Sequence, residues 1–202
     1  MPEVSVLITN YNYATFLGRC LRSVLTQTFA RSNYEVVLVD DGSTDHSDAI
    51  YRIFENDLII IENQENLGLS TSLNVGLRNC HGRYIVRVDA DDYIHSELVS
   101  FLRTGHELLK DNFDAVSCDY FEVNGAGNNY QLRSSQVHPI ACGVMFKSEV
   151  FEKLGVYNEK IRVGEDLDFM ARFKKANLSL YNINLPLYRY VNHGESLSRQ
   201  FY

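Results

Sequence analysis

The stretch Tyr84-Ile85-Val86-Arg87-Val88-Asp89-Ala90-Asp91-Asp92 is a β-rich run that ends in a cluster of carboxylates. Two earlier runs end in the same manner. Val4 to Ile8 leads into Thr9-Asn10-Tyr11-Asn12, and Tyr34 to Val39 leads into Asp40-Asp41-Gly42-Ser43. In a protein of alternating strands and helices, the carboxyl ends of parallel strands lie along one edge of the sheet, where ligands bind. The three polar endings are therefore expected to meet at one site. A cluster of carboxylates is the usual holder of a hard divalent cation that completes its shell with water and substrate phosphates. Metal-dependent phosphate chemistry is the first functional expectation.

The spaces between these runs carry helical patterns. Phe16, Leu17, Cys20, Leu21, Val24 and Leu25 recur at helical spacing within a predicted helix from about Phe16 to Gln27. Further helices are expected at Thr44 to Glu55 and from about Ser70 to Asn79, with a strand at Leu58 to Glu62 between them. Four strands separated by three helices imply crossover connections and a mostly parallel α/β sheet flanked by helices, a nucleotide-binding type of first half. The second half is less repetitive. It reads as a helix from about Ser96 to Lys110, a strand at Ala115 to Val123, a polar loop at Asn124 to Gln136, and the apolar stretch Cys142 to Phe146. Helices at Glu149 to Leu154 and Glu165 to Ala176 and a last strand at Leu178 to Ile183 complete it. Without a linker or internal repeat, residues 1–202 are expected to form a single domain, with a donor half over about 1–92 and an acceptor half and tail over about 93–202.

Composition narrows the classes of partner. The 202 residues, 45% of them hydrophobic, are enough for one soluble domain with a sizeable core. A formal charge of -7 without a run of Lys or Arg argues against nucleic acid. An acidic protein that binds a diphosphate needs local positive charge, which a metal can supply. No basic leader precedes the first strand and no apolar run reaches spanning length, so neither a cleaved signal nor a membrane span is expected, and a cytoplasmic location is. Cys20, Cys80, Cys118 and Cys142 lack the close spacing of zinc or redox pairs and read as buried residues in a reducing compartment.

The order of the motifs carries a family resemblance. Val4 to Asn12, Val39-Asp40-Asp41-Gly42-Ser43-Thr44-Asp45, Asn66-Leu67-Gly68, Val88-Asp89-Ala90-Asp91-Asp92 and Gly164-Glu165-Asp166 resemble the family 2 glycosyltransferases. The match continues to Tyr188-Arg189-Tyr190 and Ser196-Leu197-Ser198. The resemblance implies a glycosyltransferase A-type fold, a nucleotide-diphosphate sugar donor, a divalent metal (manganese or magnesium) and inversion at the anomeric carbon. It also implies a hydroxyl acceptor on a carbohydrate or glycolipid, a role in surface polysaccharide or glycolipid assembly, and a peripheral place at the inner membrane face.

Residue by residue, the resemblance places Thr9, Asn10 and Tyr11 in the first nucleotide-contacting segment, with Tyr11 a stacking surface for the base. Asp40 and Asp41 match the acidic pair after the second strand. Asp41 is favoured as acceptor from the imide N–H of uracil or thymine, although the same four residues also suit a turn and helix cap. Asp89 is implied to face the ribose, Ala90 to lie between, and Asp91 to ligate the metal, with Asp92 in support. Asp166 is the expected general base, for an acceptor hydroxyl must lose its proton as the new bond forms. Asn74 matches a donor-contacting position. Leu73 stands where many relatives have a basic residue, which leaves a phosphate contact unfilled. His193 is a candidate second metal ligand, and the tail from Leu187 to Tyr202 a candidate lid turning on Asn192, Gly194 and Glu195. The chain lacks the long carboxyl-terminal helices of polymerising synthases, which favours single addition. Two alternatives stay open: a sugar nucleotidyltransferase, for which a glycine-rich basic loop after the first strand is expected but absent, and a nucleotide-sugar-binding module without turnover.

Overall fold

The computed structural model describes residues 1–110, 112–125 and 129–193. It begins with strand β1 (Val4–Asn10), helix α1 (Ala14–Leu25), β2 (Tyr34–Asp40), α2 (Ser47–Tyr51), β3 (Ile59–Glu62), α3 (Leu69–Leu77) and β4 (Tyr84–Asp89). There follow β5 (Tyr93–Ile94), α4 (Leu98–Leu108), β6 (Ala115–Asn124), β7 (Tyr130–Arg133), β8 (Val144–Lys147), α5 (Ser148–Leu154), α6 (Glu165–Lys175) and β9 (Leu180–Asn192). One sheet runs in the order β3-β2-β1-β4-β8-β6-β9-β5, with β7 added beside β6.

The first four strands in that order are parallel, as their continuous apolar runs require when helices cover both faces. Side chains alternate between two cores. Val6, Ile8, Leu38, Val86 and Val88 pack on one face with Leu17 and Leu21 of α1. Leu7, Val37, Val39 and Ile85 face the other, with Leu73 of α3 and Phe169 of α6. Register brings the polar endings together: Asn10 lies opposite Asp40, and Thr9 opposite both Val39 and Asp89.

Antiparallel pairing begins at β8, which joins β4 to β6. The polar segment expected to be a loop is in part a hairpin. β7 pairs antiparallel with β6, and Arg133 binds Glu122 across the pair through Nε at 2.9 Å. Residues 126–128 lie outside the described residues. The expected helix from Thr44 to Glu55 is shorter, because its start is taken up elsewhere. The N–H groups of Thr44 and Asp45 donate to Asn12 Oδ1, and the Ser47 N–H to Asp45. Only α2 remains, followed by a 3₁₀ segment, Arg52–Asp57.

The last strand is much longer than its apolar pattern suggests. β9 pairs in parallel with β6, passes a register shift near Asp119 and Pro186, and continues to Asn192. A proline inside a strand is tolerated where the ladder is irregular. Its far end pairs with the two residues of β5, directly after the carboxylate cluster. This path delivers His193 to the carboxyl edge of the sheet. None of the described helices is long and apolar enough to cross a membrane.

Candidate active site

The carboxyl ends of β1 and β4 and the loop before α6 enclose a cleft of about 310 Å³. Thr9, Asp89, Ala90, Asp91, Arg162 and Asp166 are among its walls. Residues expected on the donor side and the expected base on the acceptor side thus face one space.

The loops that shape the cleft are stapled by their own polar groups. Asn12 adopts a left-handed backbone, φ 59°, and its amide oxygen gathers the Thr44 and Asp45 N–H groups. Asn10 donates to Asp40 Oδ1 at 2.7 Å, and Asp40 also receives the Ser43 hydroxyl and N–H. Gly42 lets this loop meet the next: a Cβ there would stand 2.5 Å from the Glu65 backbone, and φ is +67°. Asp41 receives the N–H groups of Leu67 and Gly68 and the Asn63 amide, all at 2.9 Å. An ionised carboxylate has about four acceptor sites, so roughly one remains.

These contacts give Asn10 and Asp40 a structural role and correct the expectation for Asn74. Asn10 and Asp40, expected at the donor, are as buried as Asp41, at 1%, 6% and 4% exposed; the Asn10 amide N–H groups donate to Asp40 and Ser43 in a turn-forming role, while the Asn10 amide oxygen has no partner among the described residues. Asn74, expected at the donor from its helix position, is fully buried. Its amide donates to Tyr157 O and Glu159 Oε1 and accepts from the Tyr157 N–H, each at 2.9 Å, so it anchors the segment before α6 instead. Tyr11 stands 41% exposed just beyond β1.

Beside the cleft, Asp91 and His193 come together. His193 Nε2 lies 2.9 Å from Asp91 Oδ2, and the imidazole is stacked on Phe16 at 4.4 Å with Tyr13 edge-on. The aromatic residues at the start of α1 therefore fix a ring that arrives from the end of β9. Arg19 donates to the Asp91 carbonyl and lies over the Tyr93 ring, bracing the same turn.

Asp92 points inward. It is 1% exposed and receives the Val191 N–H and the Tyr188 hydroxyl, both at 2.7 Å, which ties the turn after β4 to β9. Burial, reinforced by Asp91 and Asp89, pushes its carboxyl well above the ordinary carboxylate range, while the Val191 and Tyr188 donors pull it back. Cys142, a residue with no motif around it in the sequence, donates from Sγ to Asp89 Oδ2 at 3.2 Å and to Asp92. Asp89, Asp92 and Cys142 are the described residues grouped closely enough to bind a metal. Burial and the two acids push the Cys142 thiol well above its ordinary range, and sulfur is a softer ligand than manganese or magnesium prefers.

Arg87 is the second residue that pattern reading passes over. Its Nε reaches Asp89 at 2.6 Å and its Nη1 reaches Glu165 at 2.9 Å, and all of this is buried but for the outer edge of Asp89. Burial opposes the charge, but Asp89 and Glu165 outweigh it and keep the guanidinium protonated. The signal in the sequence was a charge inside an apolar strand, which must be paired somewhere. Glu165 is consumed by this pair. Asp166, its neighbour in the first turn of α6, has no hydrogen bond or ion pair with any described residue and lines the cleft. Gly164, at φ +85°, sets the turn that aims the two side chains apart. Asp168 binds Arg172 one turn on and plays no part in the cleft.

A mixed sheet flanked by helices, with a DxD-type carboxylate turn and an acid pair at a helix start, is the architecture of a nucleotide-sugar transferase. Residues 5–179 match the sequence profile described as Glycosyl transferase family 2, and the chain belongs to that family. Among its relatives, the putative glycosyltransferase EpsH of Bacillus subtilis is 37% identical over 99% of this chain and 64% of its own length. Chondroitin synthase of Escherichia coli is 28% identical over 98% of this chain and 30% of its own length. Staphylococcus aureus TarS in complex with UDP-GlcNAc shares the fold with a TM-score of 0.86 at 20% identity, covering 100% of this chain and 62% of that one. A mannosyltransferase of Pyrobaculum calidifontis, in complex with GDP-Man and Mn2+, does so with a TM-score of 0.78 at 21% identity, covering 98% and 59%. The chain thus spans less than two thirds of the length of each.

Proposed function

We propose that the chain transfers a sugar from a nucleotide-diphosphate donor, preferably a uridine diphosphate sugar, to an acceptor hydroxyl, with inversion and with a divalent cation. The observation that carries this reading is the contrast between Glu165 and Asp166. Of two adjacent carboxylates, one is locked by Arg87 and the other is unpartnered in the same cleft as Asp89 and Asp91. One free carboxylate opposite a donor site suits a single displacement, in which a base takes the acceptor proton as the sugar leaves the diphosphate. Neither a covalent intermediate nor a second acid is required.

Asp91 and His193 would hold the cation, since a carboxylate oxygen and an imidazole are both ligands manganese accepts. When bound, it supplies Lewis acidity to the diphosphate oxygens. The manganese present with GDP-Man in the Pyrobaculum neighbour supports a divalent cation in this fold. Asp41 keeps about one acceptor site for the imide N–H of a pyrimidine base, and Thr9 and Ala90 wall the donor cleft. The family's chondroitin synthase supports a role in polysaccharide assembly. A screen of nucleotide sugars for hydrolysis and transfer, with and without manganese, tests the whole reading. Selective turnover of uridine-linked donors that requires the metal is expected, and turnover indifferent to metal, or none with any donor, would reject it. The candidate lid falls largely on residues 194–202, outside the described residues, and Asn192, one of its expected turning points, is the last residue of β9.

A further inference from the structure

Behind Asp166 the cleft adjoins a second and larger cavity of about 550 Å³. Pro139, Ile140, Ala141, Asp166 and Leu167 belong to both spaces and form the seam. Beyond the seam the walls are apolar: Phe146, Phe169, Met170, Phe173, Leu178 and Leu180. Their origin is local. α6 turns Phe169 and Phe173 toward Phe146 of β8, at ring distances of 5.5 and 5.8 Å, and β9 brings Leu180 alongside. The polar groups of the lining do little to change this character. The hydroxyls of Ser117 and Ser135 both donate to Asn182 Oδ1, at 2.8 and 2.6 Å, while Gln136 and Lys174 are exposed.

A cavity of this volume and lining is of the kind that holds small apolar ligands. A bare sugar fits it poorly, because its hydroxyls would lose water without finding partners. The acceptor hydroxyl must nonetheless sit at Asp166, and the remainder of the acceptor must extend from there. The donor cleft takes one direction and the apolar cavity the other. Leu167, 62% exposed beside Asp166, and Leu180, 37% exposed, present apolar surface to whatever enters.

We propose that the acceptor carries an apolar aglycone that occupies this cavity and so presents its sugar hydroxyl to Asp166. The assignment rests on Asp166 as the base; the cavity itself is tested without turnover. Methyl, phenyl and octyl β-glucosides share one sugar and differ only in the aglycone, and the octyl compound is kept below its micelle concentration. Calorimetric titration should show the phenyl or octyl compound binding at least tenfold tighter than the methyl one, and which of the two gains more tells a ring from a chain. Ala171→Trp, which projects into the cavity from an exposed position on α6, should remove that gain. Leu180→Asn should reduce it. Binding of uridine diphosphate to each variant reports that the fold is intact.

Equal affinity for all three glucosides, or a gain that survives Ala171→Trp, would overturn the proposal. So would concentration-dependent dimerisation abolished by Ala171→Trp, which would assign the cavity to a second copy. Asp166→Asn separates the two readings: it should bind octyl glucoside like the wild type yet fail to glycosylate it. Retained transfer in that variant would remove the base while the cavity result stood.

Discussion

Arg87 holds Glu165 at 2.9 Å across a sequence separation of 78 residues, and so clamps the strand bearing the donor-side acids to the helix bearing Asp166. The clamp is buried, with Arg87 and Glu165 side chains 8% and 7% exposed. Its consequence is geometric: the end of β4 with Asp89 and the start of α6 with Asp166 keep one spacing.

Arg87→Ala should therefore unfold more easily, because two carboxylates lose their partner. Removing one member of a buried pair costs about 3–5 kcal/mol, a drop in Tm of roughly 6–20 °C for a domain of this size. Differential scanning calorimetry measures it. The double variant Arg87→Met with Glu165→Gln should recover part of the loss, and a single variant as stable as the wild type would show that the clamp contributes nothing.

Asp166→Asn tests chemistry apart from binding. Loss of a general base lowers kcat by about two to four orders of magnitude, and the affinity for nucleotide diphosphate should stay near that of the wild type. Glu165→Gln, by contrast, should act chiefly on stability. If Asp166→Asn weakens donor binding as much as it lowers kcat, the residue belongs to the donor side.

For the cation, Asp91→Asn should abolish transfer and remove the manganese dependence of nucleotide affinity, for the amide keeps the shape but not the anionic ligand. His193→Ala should weaken manganese binding while leaving metal-free nucleotide binding in place. Calorimetry in the presence and absence of manganese separates the two, and an unchanged metal response in His193→Ala would confine that ring to its packing on Phe16.

Much of this cleft could be read in the sequence because parallel strands with continuous apolar runs fix where their ends go. Thr9, Asp89 and Asp91 needed only that rule to be placed together, and Asp166 needed the helix-start motif. Contacts that depend on distant register could not be read. The length of β9, which carries His193 to Asp91, depends on an irregular ladder past Pro186 that has no apolar signature. Cys142 reaches the acids only because β8 inserts beside β4. Asn74, inside α3, turns to the segment before α6 because a short amide is as well suited to binding backbone as ligand.

On the proposed function, the remaining acceptor site of Asp41 would read the base. Uridine diphosphate should bind more tightly than guanosine diphosphate, and Asp41→Asn should narrow the gap by weakening the uridine nucleotide. Because Asp41 also holds the Leu67 and Gly68 N–H groups, the variant should melt at a lower temperature too. A wild-type preference for guanosine would reject the assignment, whatever happens to stability.

The position that lacks a basic residue in α3, Leu73, is buried in the core and could not reach a phosphate in any case. Arg162 stands in the cleft wall with Thr9 and Asp91, exposed, and with no hydrogen bond or ion pair to any described residue. Among the described residues of the cleft wall it is the unpaired guanidinium, since Arg87 is consumed by Asp89 and Glu165. Its expected role is to contact the donor diphosphate that Leu73 cannot. A charge-assisted hydrogen bond is worth about 1.5–3 kcal/mol, and the lower end applies to an exposed side chain. Arg162→Ala should then raise the Kd for uridine diphosphate about tenfold and leave uridine itself unaffected, with Arg162→Lys intermediate. The loss should shrink as salt is raised, because the contact is a surface ion pair. Equal weakening of uridine and its diphosphate would instead place Arg162 at the base or in the fold of the loop, and no weakening of either would leave the phosphates to the cation alone.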